Sequence, residues 1–177
     1  MSSAGAGLSH QGNLLGALVL ALSDRMGEAT SAAAGGSGEL AAALSSLEDF
    51  LGSPTIGLLR EVLGLTPSGA VRLTDRLEAL GYVHRSTGKD ARSRHVALTA
   101  SGHRAARNVR RARAGVLESA LAPLSSTEQA ELDALVAKAL LGLKREPGAT
   151  RWTCRLCDTK ACGRDEGRCP FVRSAAD

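Results

Sequence analysis

Four cysteines near the end of the chain are the residues whose type and spacing most directly indicate chemistry. They lie within RWTCRLCDTKACGRDEGRCPF (151–171), and the 153 residues before Cys154 contain no cysteine. A C-x2-C pair lets two thiolates bind one ion from a tight turn, and two later cysteines can complete a tetrahedron. So short a segment buries little apolar surface, so a bound metal would order it. The spacing predicts one metal centre, with these ligands: Cys154, Cys157, Cys162 and Cys169.

Three interpretations of these cysteines stay open. Zinc is slightly preferred, because the C-x2-C-x4 start is similar to a zinc knuckle with cysteine in place of the usual histidine. An iron–sulfur cluster follows, because four closely spaced cysteines ending in Cys169-Pro170 resemble the cluster loops of ferredoxins. A thiol–disulfide switch is the third interpretation. The spacing alone does not separate zinc from iron.

Composition and charge indicate a helical protein that binds a polyanion. The chain has 177 residues, of which 44% are hydrophobic and 2% aromatic, so its core must consist of Leu, Val and Ala, which suit helices. Between Gly81 and Arg113 there are nine Lys or Arg residues and one acid, Asp90. Such a basic block is typical of nucleic-acid binders. The apolar run Leu14–Leu22 is too short to span a bilayer and lacks a basic start. We therefore expect a cytoplasmic protein without membrane contact, whose thiols stay reduced.

The order of predicted elements is that of a winged helix-turn-helix. Apolar periodicity predicts helices over 11–34 and 39–50. A short helix beginning at Pro54 is followed by a second one, capped by Thr66-Pro67, whose apolar stripe is Ala70, Leu73, Leu77 and Leu80. Strands YVHRS (82–86) and RHVALT (94–99) form a hairpin. A long helix from Thr99 to about Leu121 and a last one capped at Ser125 or Ser126 complete the set.

Residues 63–143 resemble a MarR-type transcriptional regulator. The matching points are LTPS…RLTDRLEALGYV, the Asp90-x-Arg92 wing motif, the LTASGHR strand-to-helix junction and the L-x-x-L-S-x-x-E entry to the last helix. The resemblance implies a homodimer that binds pseudo-palindromic duplex DNA, with the terminal helices at the dimer interface. It also implies an ion pair between Asp90 and Arg92 that braces the wing. Gly69 departs from the usual Ser or Thr, and the cysteine tail lies outside the common family core.

Candidate DNA contacts lie on the second helix of the motif and on the wing. Residues near the N-terminus of a recognition helix reach base edges in the major groove, and wing residues reach phosphates or the minor groove. Arg72 and Arg76 have the alternative of surface pairs with Asp75 or Glu78. The predicted DNA-binding residues are Ser68, Gly69, Arg72, Arg76, Lys89, Arg92 and Arg94.

These observations predict a mainly α (α+β) fold, with a two-stranded wing and a helical dimerisation domain. The predicted units are 1–50 (N-terminal helices), 51–98 (DNA-binding lobe), 99–143 (dimerisation helices), 144–150 (linker) and 151–177 (cysteine tail). We expect a homodimeric, sequence-specific double-stranded DNA-binding regulator, a repressor, that is not an enzyme. Metal or redox state of the tail is hypothesised to control DNA affinity, and a small-molecule effector stays unidentified. The alternatives are a metal or redox oxidoreductase, or a protein-interaction adaptor on the same scaffold.

Overall fold

The computed structural model describes residues 7–87, 94–143 and 150–173, without the side chains of residues 87, 150, 151, 172 and 173. The expected mainly helical fold with a two-stranded antiparallel sheet is confirmed. The elements are α1 (His10–Ala34), α2 (Gly38–Ser46), a π-helical turn (Leu47–Leu51), α3 (Ile56–Leu63), α4 (Pro67–Ala79), β1 (Val83–Thr87), β2 (Arg94–Leu98), α5 (Ala100–Leu121), α6 (Ser126–Gly142), α7 (Thr150–Thr153) and α8 (Pro170–Arg173).

Hydroxyl side chains fix the start of every helix from α1 to α6. Each cap accepts a hydrogen bond from the backbone N–H three residues later, which satisfies a donor that the helix leaves free. The caps are Ser9, Ser37, Thr55, Thr66, Thr99 and Ser125. The prediction that Pro54 is the first helical residue is wrong, because Thr55 caps α3. Pro54 instead offers its carbonyl to the Val96 N–H at 3.0 Å.

The hydrophobic core lies between α2 and the helices around it. Every residue of α2 from Leu40 to Ser46 is buried. Aliphatic side chains of α3, α4, the wing and α5 close around it; the largest that are fully buried are Leu59, Leu77, Val96 and Val109. The core therefore joins the helix-turn-helix rigidly to the long helix α5.

The wing is attached to the helices at both of its ends. β1 and β2 pair antiparallel with Val83 opposite Leu98, and Thr55 forms an isolated bridge to His95. The hydroxyl of Thr99 donates to the Gly81 carbonyl at 2.6 Å. The wing base is therefore held by the start of α3 and by the start of α5.

Two helix surfaces leave large apolar side chains in contact with solvent. On the first half of α1 these are Leu14, Leu15, Leu18, Val19 and Leu20. On α6, where no residue is buried, they are Leu135, Val136 and Leu141, with Leu143 just beyond the helix. Isolated apolar residues on a surface are ordinary, but grouped ones indicate an interface. No helix in the described parts of the chain is long and apolar enough to cross a membrane.

Candidate DNA-binding surface and four-cysteine site

Helix α4 presents a polar face outward, as a recognition helix requires. Ala70, Leu73 and Leu77 are buried against the core. Ser68, Arg72 and Arg76 are exposed, and Gly69 is partly buried. Leu80 was predicted to belong to the buried stripe, which is wrong: α4 ends at Ala79, and Leu80 in the following turn is exposed. The outward face of the first two turns of α4 is therefore the candidate reading surface.

Arg85 on β1 pairs with the two acids of α4. From the sequence, these acids were the alternative partners of Arg72 and Arg76. The Arg85 guanidinium forms ion pairs with Asp75 and, at 3.6 Å, with Glu78. These pairs join the wing to α4. Arg72 has no hydrogen bond or ion pair to any described residue, whereas the Arg76 guanidinium donates to the Gly35 carbonyl at 3.5 Å. Arg72 is consequently the arginine of α4 whose donors stay available.

A further candidate contact, Arg94, lies on the wing. Arg94 is exposed at the first position of β2. The predicted contacts Lys89 and Arg92, and the predicted ion pair of Arg92 with Asp90, lie outside the described residues. Of the wing contacts, the position of Arg94 alone is therefore described.

Two of the three histidines in the basic segment have structural partners. Nδ1 of His95 lies 2.9 Å from the Ser53 carbonyl oxygen, and Nδ1 of His103 pairs with the carboxylate of Glu48. His84 is exposed on β1. Arg110 on α5 reaches Asp49 at 3.5 Å and Asp158 of the tail at 3.6 Å. Arg110 therefore links α5 to the tail.

The cysteine tail forms a compact loop between α7 and α8 that packs on the core. The N–H of Cys157 donates to the Cys154 carbonyl at 2.9 Å, which closes the C-x2-C turn. Gly163 and Gly167 have positive φ angles of 62° and 69°, which side chains rarely adopt. They reverse the chain between Cys162 and Cys169. Cys154 and Cys169 are buried, Cys157 and Cys162 are partly buried, and all four thiols are free.

The four thiols interact as two hydrogen-bonded pairs. The bond that Cys154 donates to Cys157 raises the pKa of Cys154 far above its usual value, and burial adds to this. The same bond lowers the pKa of Cys157 to about 6, with help from Arg113 and Arg155, although burial opposes it.

The second thiol pair interacts electrostatically with the first. The pKa of Cys162 is raised to about 11, chiefly by burial and secondly by the hydrogen bond to Cys169. Charge interactions also connect Cys154 with Cys169 and Cys162 with Cys157, so the two pairs are neighbours.

In chemical type alone, four cysteine thiols are donors for a thiolate-binding metal. Within the described ranges, no three His, Cys, Asp or Glu side chains already form a metal-binding group. Two adjacent thiol pairs are nevertheless the set that tetrahedral zinc or an iron–sulfur cluster uses. Arg164 acts favourably on the anionic forms of Cys154 and Cys162, and Arg113 on that of Cys157. Cationic side chains thus offset the negative charge that four thiolates would bring.

A cavity of about 350 Å³ lies where the tail meets the helices. Met26 and Thr30 of α1 form one side, and Leu63 and Leu65 form another. The tail supplies Trp152, Arg155 and Leu156. Its volume falls within the range of small-molecule sites, roughly 300–1,000 Å³.

Comparison with known proteins agrees with the winged-helix fold described above. The MarR family model matches residues 41–93. The YusO protein of Bacillus subtilis is 25% identical, with a TM-score of 0.65 over 73% of this chain and 91% of its own. MepR, a transcription regulator of the Staphylococcus aureus multidrug efflux pump MepA, is 17% identical, with a TM-score of 0.66 over 77% of this chain and 100% of its own. Wild-type MarR from E. coli is 21% identical, with a TM-score of 0.64 over 76% of this chain and 98% of its own.

No curated protein matches the sequence significantly. The resemblance to MarR-type winged-helix regulators is nevertheless confirmed, by the family match over residues 41–93 and by the shared fold. The neighbour MepR is itself described as a transcription regulator, the class of protein expected from the sequence. The matched structures cover 73–77% of this chain and 91–100% of their own, so part of this chain has no counterpart in them.

Several functional residues were missed from the sequence. Arg85 was counted only as one of the basic residues, although it fixes α4 to the wing. Arg113 was not connected with the cysteines, although it acts on Cys157. Trp152, the single tryptophan of the chain, was given no role. Its rarity was a signal, because the chain uses so few aromatic residues.

Proposed function

We propose that this protein is a homodimeric transcriptional regulator that binds a pseudo-palindromic DNA duplex and acts as a repressor. The observation that carries the proposal is the outward polar face of α4, on which Arg72 forms no hydrogen bond or ion pair with any described residue. The MarR-family match over residues 41–93 supports it. A similar structure also supports it: a MepR mutant bound to an oligodeoxyribonucleotide is 17% identical, with a TM-score of 0.58 over 78% of this chain and 100% of its own.

The N-terminal turns of α4 would enter the major groove. Arg72 there can bond O6 and N7 of one guanine, which is worth about 1–3 kcal/mol of discrimination. Ser68 and Gly69 stand a turn closer to the helix start, where the backbone approaches bases or phosphates. Arg76, held by the Gly35 carbonyl, and Arg94 on the wing would contact phosphates and set the position of α4.

The exposed apolar faces of α1 and α6 would form the dimer interface. Leu15 on α1 is 59% exposed and Leu135 on α6 is 65% exposed, so the monomer leaves both in water. A symmetric pair would bury these side chains. Each copy would then present one α4 to the same side of a duplex.

Selection from a random duplex pool tests this function. The full chain is mixed with duplexes at physiological salt, and bound sequences are recovered and sequenced. We expect an inverted repeat whose affinity falls steeply as salt rises. Sequence-independent binding, or no recovered duplex, would contradict the proposal. Placing the selected repeat upstream of a reporter gene tests repression, which predicts lower expression when the protein is present.

We also propose that Cys154, Cys157, Cys162 and Cys169 hold one metal centre, with zinc slightly preferred over an iron–sulfur cluster. The adjacency of the two thiol pairs and the cationic surroundings support it. Anaerobic purification followed by elemental analysis and a visible spectrum distinguishes the groups. Zinc gives one colourless equivalent per chain, whereas a cluster gives a brown protein with iron and acid-labile sulfide. A chain with neither would contradict the site.

The cavity between α1, α3 and the tail is the proposed place for a small-molecule effector. Its apolar lining, including Met26, Leu63 and Leu65, favours an apolar ligand. One acidic and one basic side chain, Glu39 and Arg155, also line it. Binding there would be measured by a ligand-dependent change in DNA affinity.

A further inference from the structure

The tail contacts the helix-turn-helix at its turn. Gly64, the left-handed cap that ends α3, faces the indole ring of Trp152: a Cβ at this glycine would lie 3.3 Å from Cζ3 of the tryptophan. Leu63 and Leu65, on either side of Gly64, line the same cavity as Trp152. The turn at Gly64 sets the angle between α3 and α4. The indole ring therefore packs on the segment that aims the recognition helix.

Arg155 holds Trp152 in this position. Its guanidinium stacks 3.7 Å from the ring centre, and its Nη1 donates to the Trp152 carbonyl at 2.6 Å. The Arg155 carbonyl in turn accepts from the hydroxyl of the fully buried Ser46 on α2, at 3.2 Å. The indole is thus fixed between the tail and the protein core.

The same short segment carries the first two cysteines. Trp152 precedes Cys154 by two residues, and Arg155 lies inside the Cys154–Cys157 turn. Further along the loop, the Thr159 hydroxyl donates to the Asp49 carbonyl at 3.2 Å, and Arg110 joins Asp49 to Asp158. A bound metal would add order to so short a segment. Loss of the metal would therefore release the ring and its guanidinium support together.

We infer that the tail is a metal-dependent clamp: loading of the four-cysteine site presses Trp152 on the turn at Gly64 and so raises the DNA affinity of α4. The inference rests on the DNA-binding function and the metal site proposed above. In this inference the tail acts directly on α4, the helix proposed to contact the DNA bases. A tail that acted instead through the linker to α6 would leave Trp152 without a part in DNA binding.

DNA affinity of the full chain, with and without metal, tests the clamp. The protein is stripped with a strong chelator under a reducing agent and reloaded with Zn²⁺, and binding to the selected inverted repeat is measured in both states. We expect metal removal to weaken binding by about fivefold or more, and Zn²⁺ to restore it. Trp152→Ala should bind as weakly as the stripped wild type in both states. Trp152→Phe, which keeps an aromatic ring over Gly64, should retain most of the response.

A reciprocal variant tests the same contact from the other side. Gly64→Asn keeps the left-handed turn, which asparagine tolerates, but pushes a side chain against the indole. It should weaken binding of the loaded protein, and adding Trp152→Ala to it should cause no further loss. Both variants should unfold cooperatively at a denaturant concentration close to that of wild type. Additive losses would contradict the clamp.

Fluorescence of the single tryptophan separates failure of the clamp from failure of the DNA-binding function. Emission of the wild type should move to longer wavelength when the metal is removed and return with Zn²⁺. Unchanged emission, or a Trp152→Ala protein that keeps the full metal response in DNA binding, would overturn the clamp. Wild type that changes its emission but binds no duplex in either state would refute the DNA-binding proposal instead. A chain that takes up no metal would overturn both the site and its control of α4.

Discussion

Replacing Arg72 with alanine should remove sequence discrimination without affecting the fold. The side chain is exposed and contacts no described residue through a hydrogen bond or ion pair, so the free energy of unfolding should change by less than about 0.5 kcal/mol. One bidentate arginine–guanine contact is worth about 1–3 kcal/mol. A symmetric dimer makes it twice, so the loss per complex is about 2–6 kcal/mol, which is about 30-fold to 2 × 10⁴-fold in affinity.

Fluorescence anisotropy with a labelled duplex measures this loss. Affinities of wild type, Arg72→Ala and Arg72→Lys are compared on the selected inverted repeat and on a scrambled duplex. Lysine keeps the charge but not the planar fork, so it should recover non-specific binding and little of the discrimination. Arg111→Ala, which removes the same charge from an exposed position on α5, is the matched control and should bind nearly as wild type. Equal losses on both duplexes would assign Arg72 to phosphate, and unchanged affinity would refute its role altogether.

Three further changes probe the wing, its junction and the dimer. Arg94→Ala should weaken binding to all duplexes and lower the slope of log affinity against log salt by about one per chain; a loss confined to one sequence would contradict a phosphate contact. Gly102→Ala would place a Cβ 2.0 Å from the Tyr82 carbonyl oxygen. It should reduce the free energy of unfolding in urea by about 1–3 kcal/mol, while Gly115→Ala, with no atom within 4 Å of the added carbon, should be neutral or stabilising. Leu135→Ser should shift sedimentation velocity from dimer to monomer while circular dichroism stays unchanged; a persistent dimer would exclude this face of α6.

Helix α4 could be predicted from sequence because its signals are local. Thr66 followed by Pro67 marks a helix start, and the spacing of Ala70, Leu73 and Leu77 marks a buried stripe. Both features are present in the structure. The capping box of Ser125 and Glu128 is a local signal of the same kind, and both of its hydrogen bonds form. Such patterns depend on residues within one or two turns of each other.

Features that depend on distant packing could not be predicted. The second helix was expected to run to Phe50, but it changes at Leu47 into a π-helical turn, on which the tail docks through Asp49. The pairing of Arg85 with Asp75 joins two elements whose separation only the folded wing decides. The position of Trp152 at Gly64 joins residues that are remote in sequence. The cysteine spacing predicted a compact site, but nothing in the tail indicated the surface on which it lies.

The measurement that bears most directly on the DNA-binding account is a hydroxyl-radical footprint of the dimer on its selected duplex. Two copies that each insert α4 into the major groove should protect two patches on one face of the duplex. Their centres should be about 10 base pairs apart, or a multiple of that spacing. Protection should disappear in Arg72→Ala at concentrations that saturate wild type. A single protected patch, or a pattern that survives this substitution, would contradict the account.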